Sequence, residues 1–312
     1  MRPLAFATCL VPAVLLAGCS ADRVTGPSPS ADPTFRALRA VVEFDFTTIE
    51  VPGALSTVAF GINPRGEIVG TYLDASFRSH GFLLQDGRLT TIDFPGAAGN
   101  DARGIGPNGE IVGGYWMPGE PAVNIHGYLR RTNGDFELVN YPGHTNTIPQ
   151  RLLPDGTILG CRHDHNTMDT MRGIVMGKDG SSEISAFASM HNGATPNGKR
   201  ITGLYTNMDA GNRTEGYLYL ADRDEFIPLL VPGSSSTAAW DMGPAGDIVG
   251  NYRNASGFHG FLLRADRYLT IDVPGATATR AFGINPGGAI VGSYVSGGKT
   301  RGFLATPTND AN

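Results

Sequence analysis

The sequence predicts an all-β chain: a six-bladed β-propeller of four-stranded blades, with the N-terminal strand completing the last blade. Three observations predict it. A motif of the form G-I-N-P-x-G-x-I-V-G-x-Y occurs six times, with its proline at Pro64, Pro107, Pro154, Pro196, Pro244 and Pro286. The intervals of 43, 47, 42, 48 and 42 residues each hold four short strand candidates divided by turn signals. The ends of the array also complement each other. The last repeat, from Ala278, lacks a final strand, and the chain supplies a spare one ahead of the first.

The first full unit shows how the strands are assigned. Ser56–Ile62, Glu67–Tyr72, His80–Gln85 and Leu89–Phe94 are separated by turn residues such as Asn63-Pro64-Arg65-Gly66 and Asp86-Gly87. Ile68-Val69 and its counterparts are apolar on both sides of the strand, as expected where neighbouring sheets cover both faces. The glycine that follows (Gly70, Gly113, Gly160, Gly203, Gly250, Gly292) is expected to let two sheets approach closely. The short segments before each proline, rich in small residues, are placed at the axis: Ser56–Ile62, Asp101–Ile105, Thr147–Leu152, Ser189–Ala194, Thr237–Met242 and Thr279–Ile284. Outer strands end in a Pro-Gly turn, as in Leu89–Gly96, Phe136–Gly143, Phe226–Gly233 and Leu269–Gly275, whereas Ile184–Met190 stands in that place without the dipeptide. The spare strand Phe44–Ile49 is predicted to lie beside Arg301–Ala305, which removes two open edges.

Composition agrees. Glycine is 43 of 312 residues and charged residues only 17%, a balance that suits a turn-rich β protein. A net charge of −5, without an Arg/Lys cluster able to track a phosphate backbone, argues against a nucleic-acid partner. Residues 1–18 read as a signal peptide, with Arg2 ahead of an apolar run and small residues before Cys19. The sequence Leu16-Ala17-Gly18-Cys19 resembles the lipobox of bacterial lipoproteins. That resemblance implies lipidation of Cys19 and residence in the bacterial cell envelope, as an outer-membrane lipoprotein or in the periplasm or at the cell surface. Membrane contact would be through the lipid anchor only. Residues 19–40, dense in Pro, Ser and Asp, read as a flexible tether, 41–307 as the propeller and 308–312 as a disordered tail. With Cys9 in the leader and Cys19 lipidated, Cys161 has no disulfide partner and is read as a buried thiol.

The pattern A-x-G-I-N-x-x-G-x-I-V-G-x-Y … H-G-F-L, carried by Gly61-Ile62-Asn63, Gly66, Ile68-Val69-Gly70, Tyr72 and His80-Gly81-Phe82-Leu83, resembles the HAF repeat family of probable bacterial extracellular repeats. Gly283-Ile284-Asn285, Ile290-Val291-Gly292 and Tyr294 match it too, while the third and fourth copies diverge. The resemblance implies an exported propeller-like protein and brings no catalytic motif.

Candidate site residues are those that break the repeat. By analogy with other propellers, a binding site is expected at one mouth of the central channel. The candidates there are Asp101, His144, Gln150, His191, Asn192, Trp240, Asp241 and Arg280, a mixture able to stack on and hydrogen-bond a sugar or peptide. His163 and His165, at i and i+2 on a strand, face the same way and could take Zn²⁺ or Cu²⁺ with a third ligand from elsewhere. His80, His126 and His259 share one repeat position with Arg172, Glu215 and Arg301, and are read as solvated strand starts. No H-E-x-x-H or G-x-S-x-G motif occurs and no G-x-G-x-x-G follows a strand before a helix, so no cofactor and no catalytic residue is assigned. The reading is a lipid-anchored extracytoplasmic propeller that binds a carbohydrate, a peptide or an envelope protein. The alternative is a propeller hydrolase or lyase acting on glycans or small extracellular molecules at the channel mouth.

Overall fold

The computed structural model describes residues 43–120, 124–144, 146–164, 170–183 and 187–308. The leader, Cys19 and the tether lie outside them. The chain forms six four-stranded antiparallel sheets. β1 (Phe44–Ile49) comes first. Blade 1 holds β2 (Ser56–Ile62), β3 (Ile68–Leu73), β4 (Ser79–Gln85) and β5 (Arg88–Ile92). Blade 2 holds β6 (Gly99–Ile105), β7 (Ile111–Trp116), β8 (His126–Arg130) and β9 (Phe136–Val139). Blade 3 holds β10 (Asn146–Leu152), β11 (Ile158–His163), β12 (Arg172–Gly177) and β13 (Gly180–Glu183). Blade 4 holds β14 (Ser189–Ala194), β15 (Arg200–Asn207), β16 (Arg213–Leu220) and β17 (Glu225–Leu229). Blade 5 holds β18 (Ser236–Met242), β19 (Ile248–Asn254), β20 (Gly257–Arg264) and β21 (Arg267–Ile271). Blade 6 holds β22 (Ala278–Ile284), β23 (Ile290–Ser296) and β24 (Lys299–Pro307), with β1 as its outer strand.

The expected closure is present. β1 runs antiparallel to β24 from Phe44↔Pro307 to Ile49↔Gly302, and Glu50 takes ion pairs from Lys299 and Arg301. One expected position moves: the outer strand of blade 3 is Gly180–Glu183, ahead of Ile184, and Ser189 and Met190 already belong to the inner strand of blade 4. Four inner strands are pinned at their start by a threonine. The hydroxyls of Thr57, Thr147, Thr237 and Thr279 accept from the backbone amides of Val51, Tyr141, Val231 and Val273 at 2.8–3.2 Å. The connections into the inner strands and the turns between second and third strands make one face of the wheel, the loop face. The Asn-Pro-x-Gly-type turns make the other, the turn face.

Packing between blades explains the repeated Val, Ile and aromatic positions. Val69 and Ile92 of blade 1 pack with Ala102, Ile105, Ile111 and Tyr128 of blade 2. Val291 of blade 6 joins Ala59, Ile68 and Phe82 of blade 1, which closes the circuit. Removing such apolar surface from water is the main favourable contribution to folding.

The glycines divide their work differently from the expectation. Gly70 and its counterparts do not space two blades; the close approach is inside the blade. Gly250 pairs with Phe261, and a Cβ on it would lie 2.1 Å from Ala238 O and 2.7 Å from the Phe261 ring. Contact between blades falls instead to the glycine of the H-G-F-L segment: a Cβ on Gly81 or Gly216 would meet Ala102 or Ala239 of the next blade at 3.3 Å. Gly250→Ala is expected to destabilise by about 3 kcal/mol, because a backbone carbonyl cannot rotate aside. Urea denaturation of the variant beside the parent checks this.

The residues at the start of the third strand are paired rather than simply solvated. His80 Nδ1 lies 2.8 Å from Asp93 and its ring stacks on Tyr72 at 4.9 Å. His259 repeats this with Asp272 at 2.8 Å and Tyr252 at 5.1 Å. Arg301 keeps the same charge pattern with Glu50 at 2.9 Å, and Glu215 reverses it with Arg213. The His80, His259 and Arg301 pairs tie the third strand to the end of the outer one on the loop face, whereas Arg213 and Glu215 both belong to β16.

Candidate functional site

The site begins with a backbone irregularity. In every inner strand the pairing skips one residue: Phe60, Arg103, Gln150, Asn192, Trp240 and Phe282. Such a bulge re-aims side chains that regular alternation would send elsewhere. The residue after the bulge is glycine in four blades, arginine in blade 3 (Arg151) and aspartate in blade 5 (Asp241).

Arg151 and Asp241 meet across the axis, Nη2 to Oδ2 at 2.8 Å. Arg151 Nη2 also donates to Phe282 O of blade 6 at 3.1 Å. Asp241 accepts from the amides of Ile284 at 3.0 Å and Met242 at 2.9 Å. The glycines leave room for the pair. A Cβ on Gly61 would lie 3.2 Å from Arg151 Nη1, one on Gly104 3.0 Å from Arg151 Cα, and one on Gly193 2.7 Å from Asp241 Oδ1. The pair therefore touches all six blades, which only groups at the axis can do. Burial raises the Asp241 carboxyl above its ordinary value, and the Arg151 charge and two amides oppose the rise. Asp241 is thus part of a plug near the turn face and not part of an open mouth.

On the loop-face side of this plug lies the ring of bulge residues. Phe282 stands 5.2 Å from Phe60, and Trp240 meets it edge-on at 5.1 Å. Arg103 lies 5.6 Å from the Phe60 ring centroid. Its Nε and Nη2 donate to Asp101 Oδ2 at 2.9 and 2.6 Å. Gln150 Nε2 lies 3.3 Å from the Met190 sulfur, and Asn192 Nδ2 donates to Ala239 O at 2.9 Å. Asn192 Oδ1 is buried and has no hydrogen-bond partner among the described residues. Blades 5, 6 and 1 thus supply an aromatic arc, and blades 2, 3 and 4 a polar one. One register step towards the loop face, Arg280 stacks its guanidinium 3.9 Å from the Phe258 ring centroid, where burial lowers its pKa.

Of the residues singled out from the sequence, Asp101, Gln150, Asn192, Trp240 and Arg280 fall at these two levels. His144 does not. It sits on the connection into blade 3, with Nδ1 2.9 Å from Asp164 and Nε2 3.9 Å from Glu183. His191 does not either. It occupies the position of Ala59, Ala102, Ala239 and Ala281, is fully buried between blades 3 and 4, and sets its ring against Gly173. Its Nδ1 bonds to the Tyr217 hydroxyl, which donates to Met190 O at 2.9 Å, and Nε2 has no partner among the described residues. Burial lowers its pKa from 6.5 to about 3.

Of the two candidate metal ligands, His163 is the last residue of β11 and His165 lies outside the described residues. Among the described residues no group of three His, Cys, Asp or Glu side chains is placed to hold a metal. Cys161 is fully buried, and burial pushes its thiol up to about 12, as befits a packing residue. Phe60, Arg103, Phe282 and Arg151 were not anticipated. Their shared register with Gln150, Asn192, Trp240 and Asp241 was the available signal.

These features define a six-bladed β-propeller with a plugged axis and a mixed aromatic and polar ring above the plug. No protein-family model matches the chain, and no curated protein matches it in sequence. Solved structures do match in fold. A putative TolB from Agrobacterium tumefaciens is 14% identical with a TM-score of 0.54, over 77% of this chain and 78% of that one. The β-propeller domain of the trilobed protease from Pyrococcus furiosus, of open velcro topology, is 9% identical with a TM-score of 0.50, over 82% and 99%. TolB from Acinetobacter baumannii is 16% identical with a TM-score of 0.49, over 80% of this chain, which spans about half of that protein's length (54%).

Proposed function

We propose that the chain is an extracytoplasmic binding protein of the HAF repeat type, held in the bacterial envelope through a lipidated Cys19. It takes a carbohydrate at the loop-face mouth. The observation that carries this reading is the ring of bulge residues: three aromatic faces beside a guanidinium and two carboxamides. Sugar rings stack on aromatic side chains through their C–H faces while amide and guanidinium groups take the hydroxyls. The buried, unpartnered Asn192 Oδ1 is an acceptor available to a hydroxyl donor. Arg280, charged and stacked on Phe258, favours a sugar or peptide that carries a carboxylate. A hydrolase or lyase would need titratable groups free to move protons. At this mouth Asp101 is engaged with Arg103, and in the plug beneath it Asp241 is engaged with Arg151.

Trp240 provides the test. With Trp116→Phe, Trp240 becomes the one remaining tryptophan and reports on the mouth directly. Titration with neutral and uronate-containing oligosaccharides is expected to change its emission saturably. Trp240→Ala is expected to weaken binding by about 1–3 kcal/mol, roughly five- to 150-fold, read by calorimetry at a temperature where the variant is folded. Unchanged emission across the whole saccharide series would end the carbohydrate reading.

A further inference from the structure

A second site lies on the opposite, turn face. A cleft of about 610 Å³ opens between the turns of blade 4 and the first turn of blade 5. Lys199, Arg200, Leu220, Asp222, Arg223 and Pro244 are among the residues that line it.

The charge there is opposite to that found at the same place in three of the other five blades. The residue just before the second strand is an acid in blades 1, 2 and 5: Glu67, Glu110 and Asp247. Each is satisfied within the face. Glu67 takes Arg65, Glu110 takes Arg131, and Asp247 takes Arg264 at 2.6 Å. Blade 4 has Lys199-Arg200 there instead, one residue longer and opposite in sign. Arg223, on the turn between β16 and β17, adds a third cation to the same cleft. Among the described residues none of these three is in an ion pair, although the molecule is net acidic and its other clustered arginines are mostly paired. The cleft is therefore a local positive site made by reversing a repeat position, with neutralisation left to something from outside.

We infer that this cleft binds a phosphorylated sugar or a similar small phosphate ester. This rests on nothing assumed about the loop-face mouth. A phosphate is the anion that suits two guanidinium groups and an ammonium best, since arginine offers paired N–H donors and lysine a compact charge. Asp222 makes a wholly anionic ligand a poor fit and supplies an acceptor for hydroxyls. Leu220 and Pro244 give the body of the ligand apolar edges, and the volume matches an ordinary small-molecule site.

Calorimetric titration of the folded chain with glucose 6-phosphate, glucose and inorganic phosphate tests the assignment. Glucose 6-phosphate is expected to bind, to bind more tightly than inorganic phosphate, and to weaken as salt rises; in Trp240→Ala, where the mouth is impaired, glucose alone is expected not to bind. Lys199→Glu reverses one charge on an exposed turn, and Arg223→Ala removes another on the neighbouring turn. Each is expected to reduce affinity about tenfold or more while leaving Tm within a few degrees. Trp240→Ala is expected to leave this binding unchanged, which separates it from the mouth. Three results would each overturn the site: no binding of glucose 6-phosphate at millimolar concentration, equal binding of glucose to Trp240→Ala, or parent-like affinity for glucose 6-phosphate in Arg223→Ala. Equal affinity for inorganic phosphate and the ester would overturn the sugar part.

Discussion

Arg151→Met is expected to destabilise the protein by about 3–5 kcal/mol, more than the loss expected from Gly250→Ala. The reason is asymmetric. Methionine fills much of the space that the arginine stem leaves, but it strands the Asp241 carboxylate at a buried axis where the guanidinium was its only side-chain countercharge among the described residues. Asp241→Leu is expected to be comparably costly, because it leaves the guanidinium unpaired and also removes the acceptor for the Ile284 and Met242 amides. Combining Arg151→Met with Asp241→Asn removes both charges and keeps an acceptor for the amides. The double variant is therefore expected to be more stable than Arg151→Met alone. A urea denaturation cycle over the parent, Arg151→Met, Asp241→Asn and the double variant measures this, and simple additivity would mean the pair is not coupled.

The second large effect is on pH. His191 is neutral when folded, with a pKa near 3 against 6.5 for an accessible imidazole. Between those values the unfolded chain binds a proton that the folded one refuses. Stability from this group is therefore complete above about pH 6.5 and falls as the pH drops towards 3, at about 1.4 kcal/mol per unit. The physical cause is specific: protonation would place a charge on Nε2, which faces Gly173 with no acceptor among the described residues. His191→Ala restores the side chain of four sibling blades and leaves a cavity, so slopes rather than absolute stabilities are compared. Unfolding free energies from pH 7 to pH 4 are expected to fall more steeply for the parent, by close to one proton's worth. Parallel curves would show that His191 titrates normally.

The architecture was legible because it is written many times over. Repeat spacing, Pro-Gly turns and the odd strand at Phe44–Ile49 each point to the same closed ring, and the inner strands fall within two residues of their expected starts. The ring of side chains was half legible. Gln150, Asn192 and Trp240 stood out as departures from the repeat, whereas Phe60 and Phe282 looked like ordinary members of A-F-G-I-N. What decides their direction is the bulge, a pairing irregularity that no local residue pattern announces. Glycine roles were assigned to the wrong interface for a related reason: Gly70 precedes the sheet contact in sequence, but its nearest neighbours are a carbonyl and a ring of its own blade. His191 shows the limit of reading polarity as exposure. A histidine beside the axis in sequence points between blades, because it takes the alanine position and not the neighbouring one.

The closing strand also settles where the wheel can be held. Glu43 O accepts from Thr308 N at 3.0 Å, so the two ends of the described chain leave from the same corner of the turn face. Any handle fused ahead of Glu43 or behind Thr308 hangs from that corner, on the far side from the aromatic ring. A scaffold so arranged can be immobilised by either end, or by both at once, without obstructing its opposite surface.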